Sequence, residues 1–211
     1  MVRDLSSALS QQGHNVQIVT NAWDAPRPRR EGAEVRLRLP AVPGEAGLAG
    51  RAKTTIHVER AARSLLALCR RDGIDVIHAH FAGPYLATLA RARALGGPPY
   101  IVTCHRGDVL GMPDLTHRQR RVVKEAMQGA SASVAVSSWL AQEAEKAFEL
   151  DAVETIPNGF QLSWTSIPSR AKVEADLGHP LPQQYAVMVA NMRPYKGHTV
   201  ALDAWEMVRE T

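Results

Sequence analysis

Apolar and polar positions alternate between two rhythms along the chain. In "VRDLSSALSQQGH" the residues Val2, Leu5, Ala8 and Leu9 fall on one face of a 3.6-residue period, and Gly13 ends the run. "NVQIVT" (15–20) then reads as a strand. After a Pro/Arg-rich loop, "AEVRLRLP" sets Val35, Leu37 and Leu39 against Glu34, Arg36 and Arg38, the two-residue period of a half-exposed strand. A helix is predicted around 55–71, with Val58, Ala62, Leu65, Leu66 and Cys69 as its buried stripe. From there "IDVIHAHF", "PYIVTC", "ASVAVS" and "AVETIP" read as strands. Between them lie the helical stretches "PYLATLARARAL", "HRQRRVVKEAMQG" and "WLAQEAEKAF". Thr116 with Gln119 forms a capping box for the second of these helices, and Ser137 or Ser138 caps the third.

Strand and helix in regular succession predict an α/β fold, a doubly wound parallel sheet with helices on both faces. Residues 1–160 form the first domain. Such a sheet opens with a strand that lies centrally, whereas Met1 falls inside the first helix, so the reading expects a first strand ahead of it. Residues 161–184 lack a clear period and read as a linker. "QYAVMVANMRPYKGHTVALDAWEMVRE" is the strand–turn–helix start of a second domain, 185–211.

Composition narrows this picture little. The 211 residues are 45% hydrophobic, enough for a sizeable core, and carry a net charge of +4. With 5% aromatic residues and no recognition helix or zinc finger, nucleic acid is not expected as a partner. Two cysteines, Cys69 and Cys104, make no disulfide framework, and no apolar run has the length of a membrane span, so the expected location is cytoplasmic. The basic set Arg118, Arg120, Arg121 and Lys124 on one helix suits a solvated face or a peripheral contact with an anionic membrane.

Candidate chemistry clusters where strands end. "YIVTCHRGDV" delivers His105, Arg106, Gly107 and Asp108 at the carboxyl end of a strand, the edge at which such sheets bind ligands. His105 can hydrogen-bond a hydroxyl or move a proton near neutrality. Gly107 lets backbone approach a ligand, and Asp108 can orient a donor or cap the next turn. His78 and His80 share a strand face, but no third ligand has suitable spacing, so no metal site is expected. Pro157, Asn158 and Gly159 form a turn where the first domain runs out. In "VANMRPYKGH", Arg193 and Lys196 precede a helix start at Gly197, a place suited to an anion, without the spacing of a Walker loop.

Taken in order, "LSSALSQQGHNVQIVT", "DVIHAHF", "VTCHRGDV", "ASVAVSSWL", "TIPNGF" and "ANMRPYKGH" resemble a family 4 glycosyltransferase of the two-domain GT-B type, built from Rossmann-like halves. The resemblance implies transfer of a sugar, with retention, from a nucleotide diphosphate sugar to a hydroxyl acceptor. The product would be a polysaccharide, glycolipid or glycosylated metabolite, and no cofactor would be needed. It implies His105 and Asp108 at the reaction centre, His80, Gly107, Asn158 and Gly159 as substrate-binding residues, and Arg193, Lys196 and Gly197 at the donor diphosphate. Two positions depart from the family pattern. Asn191 stands where an arginine is usual, with Arg193 as its displaced substitute, and Gln161 stands where an aspartate is frequent. The competing reading is a non-catalytic module of the same fold that docks on a membrane or a partner transferase.

Overall fold

The computed structural model describes residues 2–21, 29–31, 34–40, 42, 47–159 and 167–209. The chain divides into two compact units, Met1–Gln161 and Leu162–Thr211.

In the first unit α1 (Val2–Gln11) leads to β1 (Ile18–Asn21), β2 (Arg29–Glu31) and β3 (Glu34–Leu37). β3 pairs parallel with β1 and antiparallel with β2, giving a small sheet in the order β1-β3-β2. The alternation expected for β3 holds: Val35 and Leu37 are buried and Arg36 is exposed. β2 lies in what the sequence suggested was loop, short enough to leave no apolar period to read.

The long helix α2 (Leu48–Asp72) precedes the alternating series β4 (Ile77–His80), α3 (Leu86–Ala94), β5 (Tyr100–Cys104), α4 (Gly107–Leu110), α5 (His117–Gln128), β6 (Ala132–Ala135), α6 (Ser138–Phe148) and β7 (Glu154–Thr155). Its four strands are all parallel, in the order β4-β5-β6-β7. Each step moves to the next position in the same direction, so right-handed crossovers place α3, α5 and α6 along one face of this sheet. The helices touch in sequence, α2 on α3, α3 on α5, and α5 on α6. The expected single sheet is thus two sheets, because among the described residues no strand bridges β1 and β4.

The core explains why these stretches fold as they do. Leu86, Val102, Cys104, Val123, Met127, Leu140 and Phe148 are fully enclosed, drawn from α3, β5, α5 and α6. Tyr100 is enclosed as well, and its hydroxyl donates to the Ala126 carbonyl. A Cβ at Gly129 would stand 3.1 Å from that hydroxyl, so glycine there leaves room for the tyrosine. The Thr116–Gln119 capping box forms as expected, and Ser137, not Ser138, caps α6 by accepting from the Leu140 N–H.

The second unit departs further from expectation. Residues 170–177, inside the expected linker, form α7 (Arg170–Leu177), capped by Ser169 and closed by Arg170–Glu174 and Lys172–Asp176 ion pairs. Residues 185–190 are not a strand: Val187 is 70% and Val189 91% exposed, with no neighbouring strand described to complete a ladder. The turn Pro194–Lys196 and α8 (His198–Arg209) follow.

Candidate functional site at the carboxyl ends of β4 and β5

The parallel register sets His78 beside Ile101 and His80 beside Thr103, so both histidines share a face with the end of β5. The His78 Nε2 lies 2.7 Å from the Thr103 hydroxyl, and the two histidine rings stack at 4.4 Å. His105 follows β5 directly. Its Nε2 lies 3.1 Å from the His80 Nδ1, and its ring lies 5.4 Å from the His80 ring. Three imidazoles from two adjacent strands therefore form one row.

Asp108 fixes the backbone around that row. One carboxylate oxygen accepts from the His105 N–H at 2.8 Å, and the other accepts from the Ala82 N–H at 2.6 Å. The side chain thereby staples the loop after β5 to the loop after β4. The Tyr85 hydroxyl lies 2.7 Å from the His80 carbonyl and 2.6 Å from the Phe81 carbonyl, so one proton serves two acceptors. Phe81 continues the ladder by donating to the Thr103 carbonyl at 2.9 Å, and its ring lies 4.5 Å from that of His105.

Electrostatics follow from this crowding. Burial, then the neighbouring imidazoles, pushes His80 down to about 4. Burial also lowers His78 and His105; for His105 the Asp108 carboxylate works the other way. All three rings are therefore neutral at neutral pH, able to accept one hydrogen bond and donate another. Asp108 is raised by burial, against the hydrogen bonds that it accepts. Burial, followed by the Asp108 charge, raises Cys104 to about 12, which makes it an inert core thiol.

Of the residues singled out in the sequence, the structure brings His80, His105 and Asp108 together. Asp108 uses both oxygens on backbone N–H groups. Gly107 opens α4, and a Cβ there would meet nothing within 4 Å, so the fold itself does not demand glycine. Asn158 and Gly159 lie exposed past β7, two strands from β5, and neither adopts the left-handed conformation expected of a turn. In the second unit Arg193 and Lys196 are exposed on the turn that enters α8, and Gly197 adopts φ 73°, a conformation that favours glycine. The Lys196 ammonium sits 5.5 Å from the centre of the Tyr195 ring.

The basic helix α5 is not a row of free cations. Arg120 donates to the Pro113 carbonyl, Arg121 pairs with Glu125, and Lys124 pairs with Glu149. Among the described residues no cluster of three or more His, Cys, Asp or Glu side chains is arranged to hold a metal ion. Nor is any helix among them long and apolar enough to cross a membrane.

Sequence reading missed Phe81, Tyr85 and Thr103. The only signals were an aromatic directly after a strand and a Gly-Pro-Tyr turn, each common in loops.

The model of the family described as Glycosyltransferase Family 4 matches residues 1–164. A Bacillus subtilis (strain 168) protein described as "Putative teichuronic acid biosynthesis glycosyltransferase TuaC" is 30% identical over 183 residues. That match covers 84% of this chain and 47% of the relative, so the chain spans about half of the relative's length. A histidine-bearing strand end in a parallel α/β sheet, six motifs in order and a family match over most of the chain lead to one assignment: the chain belongs to glycosyltransferase family 4.

Proposed function

We propose that this chain carries the acceptor-side half, and the beginning of the donor-side half, of a retaining glycosyltransferase that moves a sugar from a nucleotide diphosphate sugar to a hydroxyl. The observation that carries the reading is His105, presented at the carboxyl end of β5 with its ring bonded to His80 and its backbone N–H bonded to Asp108. A neutral imidazole so held can accept or donate a hydrogen bond at a sugar hydroxyl without first losing a proton. Asp108 acts as a positioning residue, holding both loops by their backbones. His80 orients the His105 ring. Gly107, Asn158 and Gly159 contribute open backbone at the same end of the sheet. Arg193 and Lys196 meet the diphosphate, whose negative charge grows as the glycosidic bond breaks, and cations aimed at developing charge are a strong source of rate. No cofactor enters this scheme.

Family membership supports sugar transfer, and the description of the relative as a "Putative teichuronic acid biosynthesis glycosyltransferase" supports a biosynthetic transfer. The buried, unpaired thiols Cys69 and Cys104 suit a reducing compartment, hence action in the cytoplasm. The test is His105→Ala in a full-length enzyme that contains this chain, assayed with a panel of nucleotide sugars. Loss of a transition-state contact typically lowers turnover by roughly a hundredfold or more. Near-normal turnover in a folded variant would overturn the assignment.

A further inference from the structure

We propose that Phe81 is the stacking platform for a pyranose ring, the apolar face of the acceptor sugar lying on its ring beside His105. This rests on the sugar-transfer reading above and adds to it a binding residue, the last of the "DVIHAHF" stretch, to which the resemblance assigned no role.

The argument begins with backbone. Phe81 has φ 68°, in the left-handed region that bulky residues rarely occupy. Among the described residues Glu149 is the other non-glycine with positive φ, and it terminates α6, where that conformation satisfies helix carbonyls. Phe81 ends a strand and caps nothing. Its conformation is instead imposed by three hydrogen bonds in two consecutive residues. The Phe81 N–H donates to the Thr103 carbonyl, the Phe81 carbonyl accepts from Tyr85, and the Ala82 N–H donates to Asp108. Glycine would take this conformation at no steric cost, yet the chain has a phenylalanine there. Strain held this way gathers at sites of function.

Burial does not compensate the strain. Phe81 is 50% exposed, unlike Phe148, which is fully enclosed. What the conformation achieves is direction: the ring stands 4.5 Å from the His105 ring and is tilted 39° to it. The two rings form a corner with an apolar wall and a hydrogen-bonding wall. A pyranose has the matching pair of surfaces, an axial C–H face and a rim of hydroxyls. Its C–H groups carry slight positive charge and lie well on the electron-rich face of an aromatic ring. A nucleobase could also stack, so the two ligands must be told apart.

The chain has three phenylalanines, and ring resonances of Phe81 can be identified by their absence from a Phe81→Gly spectrum. The protein is titrated with methyl β-D-glucopyranoside, and separately with uridine diphosphate. The expected result is a shift of the Phe81 ring signals with the pyranoside, affinity about three- to tenfold weaker in Phe81→Gly, and near-full affinity in Phe81→Tyr. Pyranoside affinity unchanged in Phe81→Gly overturns the proposal, as does a Phe81 response to uridine diphosphate alone. The catalytic reading fails separately: if His105→Ala transfers sugar normally, that reading is lost while the pyranoside result stands.

Discussion

His80 and His105 share a single hydrogen bond between ring nitrogens, Nδ1 to Nε2, at 3.1 Å. Only one proton fits between them, so protonating both rings breaks the contact. Burial and mutual repulsion hold His80 near 4 in the folded protein, whereas an unfolded histidine titrates near 6.5. The unfolded chain therefore takes up this proton first as pH falls. Stability is level above about pH 7 and declines between about 6.5 and 4, before most carboxylates titrate. His78 and His105 are lowered too and add in the same direction; Asp108, raised by burial, opposes them only near its own titration. Denaturant unfolding across this range should show the decline, and His80→Gln should flatten it. A pH-independent parent would remove the basis for a neutral histidine row.

Asp108 accepts two backbone N–H groups from two loops, which no amide can reproduce. In Asp108→Asn one carbonyl oxygen still accepts, but the NH2 group faces the second N–H, donor against donor. Leaving a part-buried donor unmatched costs about 1–3 kcal/mol. Chemical denaturation should show a loss of that order. A neutral result would mean that the staple between the β4 and β5 loops is dispensable.

The capping box on α5 offers a calibrating variant away from the site. Thr116 accepts from the Gln119 N–H, and the Gln119 side chain accepts from the Thr116 N–H. Thr116→Ala should lower stability by about 1 kcal/mol, and Thr116→Ser should restore most of it. An equal loss in both variants would show that the methyl group, and not the hydroxyl, carries the effect.

Lys196 carries the donor side of the proposed reaction. In a full-length enzyme Lys196→Ala should weaken binding of the nucleoside diphosphate by about tenfold, as expected for one charge-assisted contact of about 1.5 kcal/mol. Acceptor affinity should hold. Calorimetry with the diphosphate decides: unchanged affinity would reduce Lys196 to a solvated turn residue lying against Tyr195.

How much of this is legible in the sequence depends on how far each feature reaches along the chain. β3 and α5 follow from periods of apolar residues that span several turns or pleats, and they lie where the pattern puts them, while α2 ends as expected but begins at Leu48, seven residues before the expected start. α7 has almost no apolar face and is held by Arg170–Glu174 and Lys172–Asp176, so a search for hydrophobic periodicity passes over it. Residues 185–190 show the opposite failure. Their composition suits a strand, but a strand exists only with a neighbour to bond. At the site, His105 and Asp108 were visible because polar residues ended an apolar run. The conformation of Phe81 was not, because it is fixed by Thr103, Tyr85 and Asp108 acting from different segments. Only the fold brings those groups to one residue.

β5 is bonded on both sides, to β4 and to β6, while among the described residues β4 is bonded on one. Deuterium should therefore replace the amide hydrogens of β4 long before those of β5. The pair of imidazoles joins a strand bonded on both sides to one that, among the described residues, is bonded on one. A fluctuation that peels β4 away parts His80 from His105, yet leaves His105 seated on its own strand. The lifetime of the paired histidines is then set by the local opening of one short strand, well before the whole domain unfolds.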